Sequence, residues 1–414
     1  MAFRLTPIAP VLLGVTLAQV GLGVMTPLIP ILLLRQGVET QNIGYVASSY
    51  FVGFLVGALF CARIVGRVGH IRAFAVFAAL AADAALLMSL LPSVWIWAGL
   101  RFVIGFSMSG CFLVAESWLN DKADAQTRGQ TFGAYLLVSW LGAAAGPLSL
   151  TIMQATGAMF TAVGMAFATS LLPMALTEIS NPVLGRRQRI GLARLFSASP
   201  LGVACCVTSG LVNSAFYALI PVYLKALGYD TDAVASFTSA TMVAALLVQY
   251  PIGLLSDRLG RRPVTLAALL LALTFAGGMD LFGASSLTLL TVLGCCFAGV
   301  MAPIYGLGAG QTNDHIAPDE YVGAAGGLLF VWAVGASAGP SVAAGAMKAI
   351  GPSGLFVYLA GVLALVSLFT LARIRLRGPI PRALQSDYMP AAVAPPGVPE
   401  LAERPRDGTS EATS

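Results

Sequence analysis

The chain of 414 residues is 57% hydrophobic and only 10% charged, with a mean hydropathy of +0.85. A soluble chain of this length carries roughly 25% charged residues, so the balance excludes that class and points to a protein that crosses a membrane many times. The net charge of +5 does not signal nucleic acid, because Lys and Arg fall between apolar runs and not on one polar domain.

The apolar runs lie at roughly 8 to 34, 42 to 62, 73 to 92, 94 to 118, 131 to 153, 157 to 177, 200 to 224, 233 to 255, 264 to 284, 286 to 311, 321 to 347 and 352 to 372. A helix needs about 20 apolar residues per crossing, so twelve spans are expected. The first run is too long for a signal-peptide core and reads as a retained span. An even count puts both termini on one side. Taking that side as cytoplasmic places nineteen of the 23 Lys and Arg there, with Arg35, Lys225 and Lys348 outside and Arg101 inside a span. Basic residues concentrate in cytoplasmic loops, so both termini are expected in the cytoplasm, with the protein in a bacterial inner membrane.

Residues 178–199 hold Arg186, Arg187, Arg189 and Arg194 beside Pro182 and Gly185. They read as a basic cytoplasmic linker between two units, 1–177 and 200–377. Anionic lipid or a partner is the competing use of such a run. The segment 378–414 turns to Pro, Ala, Glu, Ser and Thr and is expected to be a disordered tail. The six cysteines all sit in apolar runs, and His70 and His315 stand in separate loops. No metal site, disulfide framework or cofactor is expected.

The two units are copies. Leu28-Ile29-Pro30 with Gly37 recurs as Leu219-Ile220-Pro221 with Gly228, and Arg67-x-Gly69 recurs as Arg258-x-Gly260, both at an offset of 191. At 193, Asn120-Asp121 returns as Asn313-Asp314, and Gly142-x-x-x-Gly146-Pro147 returns as Gly335-x-x-x-Gly339-Pro340. Four matches in order describe a six-span unit, repeated.

The stretch from Gly253 to Arg262 reads G-x-L-S-D-R-x-G-R-R. It resembles the loop signature of major facilitator superfamily transporters, found between their second and third helices and again between the eighth and ninth. The resemblance implies an all-α membrane protein of twelve transmembrane helices in two six-helix bundles. It further implies a site near the midplane between the halves and alternating access by rocking. In that family Asp257, Arg258, Gly260, Arg261 and Arg262, with Arg67 and Gly69 of the first copy, would form a conformational latch between the halves. Membrane orientation alone accounts for the arginines, but not for Asp257 and the glycines at these spacings. The first copy departs from the pattern, with Gly66 in place of the carboxylate and Ala62 in place of the leading glycine. Its latch is expected to be weaker.

Arg101 to Gly110 resembles the family's R-x-x-x-G fourth helix. A cation in a span costs roughly 2.5 to 3.5 kcal/mol, so Arg101 is expected to face a cavity, binding an anionic group or tuning a proton carrier. Snorkelling to the outer interface is the bland alternative. Val114 to Asn120, with Glu116, and the Ser48-Ser49-Tyr50-Phe51 region resemble the YcaD-like branch of the superfamily. Buried carboxylates can exchange protons, so Glu116 and Asp83 lead as coupling groups, with Asp280 nearer the interface. Packing is the alternative for Asp83. Gln19 and Asn213, with Tyr135, Trp140, Tyr217, Tyr250 and Trp332, would line a mixed cavity.

The motif Gly142-x-x-x-Gly146-Pro147 resembles one seen in antiporters, and its copy at Gly335 to Pro340 suggests that helices five and eleven pack at the interface between halves. The expected function is proton-coupled efflux of a small organic molecule by a monomeric secondary transporter, with the lipid bilayer as surroundings. A uniporter or importer, or a transport-like sensor or scaffold, competes with it. No P-loop is present, and no nucleophile, base or metal cluster assembles an enzyme site.

Overall fold

A computed structural model describes residues 8–123, 127–153, 155–176, 191–317 and 320–376. Among them the chain forms fourteen helices: α1 Ala9–Arg35, α2 Thr40–Val68, α3 His70–Leu90, α4 Val94–Lys122, α5 Arg128–Met153, α6 Met159–Ala175, α7 Leu192–Ala198, α8 Pro200–Ala226, α9 Thr231–Leu259, α10 Arg261–Phe282, α11 Leu287–Met301, α12 Ile304–Asn313, α13 Tyr321–Ile350 and α14 Gly354–Leu376. Runs this apolar satisfy their backbone groups internally only as helices, which is why the hydropathy pattern and the helix order coincide. Eleven are long and apolar enough to cross a membrane, counting α11 and α12 as one, and α6 is a shorter apolar helix of 17 residues. The expected tail over 378–414 falls outside the described residues, as does most of the expected linker. What is described of that linker includes the short helix α7.

The tenth run departs from expectation by dividing in two at Ala302-Pro303. Proline has no N–H to continue the α11 ladder, and its ring crowds the preceding turn.

Helices α1 to α6 pack among themselves, chiefly α2 on α4, α1 on α5 and α3 on α6, while α8 to α14 do likewise, with α13 on α8 and α10 on α14. The tight turns repeat in step with the sequence. Gly37 and Gly228 have φ of 72° and 85°, and Gly69 and Gly260 have φ of 87° and 94°. A side chain is strained at such angles, and glycine is not.

Helices α5 and α13 meet the opposite bundle, but by faces other than those that carry the paired glycine motifs. A Cβ at Gly146 would lie 2.5 Å from Val20 O of α1, and one at Gly339 would lie 2.4 Å from Leu211 O of α8. The motif faces of α5 and α13 therefore hold those helices against their own bundles, where small residues let backbones approach. Other faces of the same helices meet the opposite bundle, α5 against α9 and α13 against α2.

The α2–α13 seam is polar at the end away from the chain termini. Ser48 Oγ accepts from both Ser341 N at 3.2 Å and Ser341 Oγ at 2.7 Å, and Gln41 Nε2 donates to Ser341 O at 3.1 Å. Lys348 and Glu39 pair at 2.9 Å over the same end. These contacts tie the bundles together there.

Candidate functional site

Between the bundles lies a cavity of about 160 Å³. From the first bundle it is lined by Gln19, Met25 and Thr26 of α1, Tyr50, Phe51 and Phe54 of α2, Arg101 and Phe112 of α4, and Trp140 of α5. Ser209, Asn213 and Tyr217 of α8, Met242 of α9, Ala302 and Tyr305 at the α11–α12 break, and Trp332 of α13 face them from the second. A helix interrupted where it borders a cavity is tolerated because the irregular backbone is not turned to lipid.

Arg101, Gln19 and Asn213 thus come together as expected from the sequence. The Arg101 guanidinium carbon lies 4.5 Å from the centre of the Tyr50 ring, within cation–π range, and its Nη1 is 3.9 Å from Met25 Sδ. Asn213 Nδ2 donates to Ser209 Oγ at 3.1 Å, which orients the amide from within its own helix. Phe51 and Phe54 meet Trp332 edge-on at 6.1 and 5.8 Å, joining the bundles through aromatic contact.

The acids separate. Glu116 is 2% exposed and accepts a hydrogen bond from the Tyr135 hydroxyl at 3.0 Å. It is not among the residues that line the cavity. Asp83 lies on the exposed face of α3 that also carries Leu80 and Leu87, so the expectation that it is a buried acid is corrected. The spacing from Leu80 to Leu87 keeps all three on one helical stripe, away from the stripe packed against α4 and α6. Asp280 is half-buried near the end of α10. Tyr250, expected at the cavity, is 60% exposed elsewhere on α9.

At the end that carries the termini, Arg261 Nε pairs with Asp314 Oδ2 at 2.8 Å, the side chains 1% and 2% exposed. This pair joins α10 to the end of α12 within one bundle, whereas the resemblance implied contacts between halves. Arg258 and Arg67 are exposed and Asp257 and Arg262 half-buried. Among the described residues no group of His, Cys, Asp and Glu could hold a metal ion, and the six cysteines are free.

Among the cavity residues missed by the sequence reading are Tyr50, Phe54, Phe112 and Tyr305. For Tyr305 the signal was Pro303, a helix breaker inside an apolar run. The three others look like any aromatic in a span.

The family model described as Major Facilitator Superfamily matches residues 11–247 and again residues 205–395, two overlapping matches. The chain belongs to the major facilitator superfamily. Within the superfamily it falls in the YcaD-like group. It is 28% identical over 371 residues to the uncharacterized MFS-type transporter YE1530 of Yersinia enterocolitica, covering 89% of this chain and 95% of the relative. It is 27% identical over 368 residues to YcaD of Salmonella typhi, covering 87% and 94%. Among solved structures, the nucleoside transporter NupG superposes with a TM-score of 0.74 at 12% identity, over 91% of this chain and 100% of that one. A bacterial homolog of the human lysosomal transporter Spinster, in an inward-facing and occupied conformation, gives 0.72 at 15% identity, over 91% and 98%. Both likenesses show the twelve-helix superfamily fold. As a member of this superfamily, the chain is a multi-pass membrane protein of small-molecule transport.

Proposed function

We propose that this protein is a proton-coupled exporter of a small organic molecule, working by alternating access of its two bundles about the central cavity, with Glu116 as proton carrier. The carrying observation is the burial of Glu116 against Tyr135 within the first bundle. A carboxyl shut away from water exchanges its charge for a proton at far smaller cost than a solvated one, which is what coupling to a proton gradient requires. The polar α2–α13 contacts favour a state closed at the end away from the termini. The distribution of Lys and Arg supports cytoplasmic termini, and hence a cavity reached from the cytoplasm in that state. The inner membrane of a bacterium is the proposed location, and the monomer the proposed working unit.

The test is flux in proteoliposomes under an imposed pH gradient, across a panel of aromatic acids, amides and amines. Wild type should move one of them against its gradient, and Glu116→Gln should abolish the dependence on pH while leaving downhill exchange. Gradient-driven flux that survives Glu116→Gln would remove Glu116 from the mechanism, and flux indifferent to the proton gradient would make the protein a uniporter.

A further inference from the structure

We infer that the cargo is an organic anion with an aromatic or apolar body, its acidic group held by Arg101 at the end of the cavity away from the chain termini. The inference rests on the reading of the central cavity as the cargo site. Among the described residues lining that cavity, Arg101 alone is charged. Its described contacts are the face of the Tyr50 ring and the sulfur of Met25, both neutral. The ring lies against the guanidinium, and the acceptor described on its N–H edge is a weak one, the Met25 sulfur. That edge is the fork which binds a carboxylate through two parallel hydrogen bonds.

A cation held at a membrane site with no acid against it is costly, and an incoming anion removes that cost. A neutral cargo does not, and a cationic one raises it. The rest of the wall sets the body of the cargo. Phe54, Phe112, Trp140 and Trp332 line the same space, and each ring contributes a large apolar contact. Arg101 is the eighth residue of α4, which starts at the end away from the termini, about 10 Å along the helix axis. Trp140 is the thirteenth of the 26 residues of α5. The anionic group therefore sits above the aromatic body, towards the closed end, with Gln19 and Asn213 beside the body to meet further polar substituents.

The experiment is isothermal titration of the purified full-length protein in detergent with naphthoate, its neutral amide naphthamide, and naphthylmethylammonium. Naphthoate should bind at least about tenfold more tightly than the amide, the scale of one charge-assisted pair, and the ammonium should bind least. In Arg101→Gln the preference for naphthoate should vanish, and in Arg101→Lys part of it should return. Equal binding of acid and amide to wild type, a preference unchanged in Arg101→Gln, or no saturable binding of any of the three overturns the inference.

A measurement on wild type alone guards against a variant that does not fold. Phenylglyoxal modification of Arg101, mapped by peptide mass, should be blocked by naphthoate and not by naphthamide. Equal protection by both, or by neither, again overturns the assignment. Proton coupling is read separately. Glu116→Gln flux can fail with acid selectivity intact, and a neutral cargo that moves with protons sinks only the anion.

Discussion

The two copies of the loop that ends at Gly69 and at Gly260 occupy equivalent places in the two bundles and are chemically unlike. In the second, Arg261 begins α10 and reaches Asp314 at the end of α12, both side chains out of water. Gly310 makes the room, since a Cβ there would fall 1.8 Å from Arg261 Nη1. Subtracting the repeat offsets, the same positions in the first bundle are His70, Asp121 and Ser117. His70 Nε2 meets the Ser117 hydroxyl at 3.0 Å, while Asp121 is 34% exposed and pairs with its neighbour Lys122 at 3.3 Å. One bundle is thus clamped by a buried ion pair and the other by a hydrogen bond of the kind that contributes about 1 kcal/mol. Fold symmetry therefore fixes where a contact forms. Its strength is a matter of single residues.

The largest effect is expected from breaking the buried pair. Arg261→Ala or Asp314→Asn strands a charge or a donor set away from water, at a cost on the order of 3–5 kcal/mol. Thermal unfolding in detergent should register a marked fall in Tm for each, and most of it should return in Arg261→Met combined with Asp314→Leu. Additive losses in the double variant would mean the two groups do not act as a pair. Gly310→Ala should reproduce much of the loss, because a methyl group displaces the guanidinium from Asp314. An unchanged Tm for Gly310→Ala would contradict the packing described.

Next comes the transplant. His70→Arg by itself should be tolerated poorly, because Ser117 stands where the second bundle has glycine. Adding Ser117→Gly should open the space and let the introduced guanidinium turn to Asp121, a recovery on the order of 1–3 kcal/mol as a charged hydrogen bond replaces a neutral one. If the double variant is no more stable than His70→Arg alone, the two loops are not interchangeable and the comparison fails.

A smaller, conformational effect is expected from Gly66→Asp, which restores to the first loop the carboxylate that Asp257 supplies to the second. Stability should hardly change, but cysteine labelling should report more of the state closed at the terminal end. Identical labelling at both ends would argue that the missing acid does not weaken the first latch.

The smallest effect lies at Arg194 and Glu320, an exposed pair between α7 and the start of α13 at 3.2 Å. The hydrogen bond from Arg194 holds the Glu320 carboxyl below the ordinary carboxylate range. A lowered value means that the contact is present above the ordinary pKa and is lost as pH falls through the lowered one. Arg194→Ala should leave Tm unchanged within error at neutral pH, since exposed pairs contribute little. A large drop at neutral pH would give α7 a structural weight that its exposure does not suggest.

The sequence by itself determined the number and order of spans, the six-span repeat, and the turns at Gly37, Gly69, Gly228 and Gly260. Each of these rests on a local cause. Apolar length forces a helix, and a left-handed turn demands glycine. It also marked Arg101 for a cavity, because an intramembrane cation needs a place to be.

Only the tertiary structure decided that Glu116 is buried while Asp83 is not, that Tyr50 stacks on Arg101, that Tyr250 points away from the cavity, and that Gly146 and Gly339 face their own bundles. In a soluble helix the polar stripe reveals which face meets water. In a span, the face turned to lipid and the face turned to protein are both apolar. Periodicity then carries no record of which side is buried, and the rotation of each helix about its axis is settled by its neighbours.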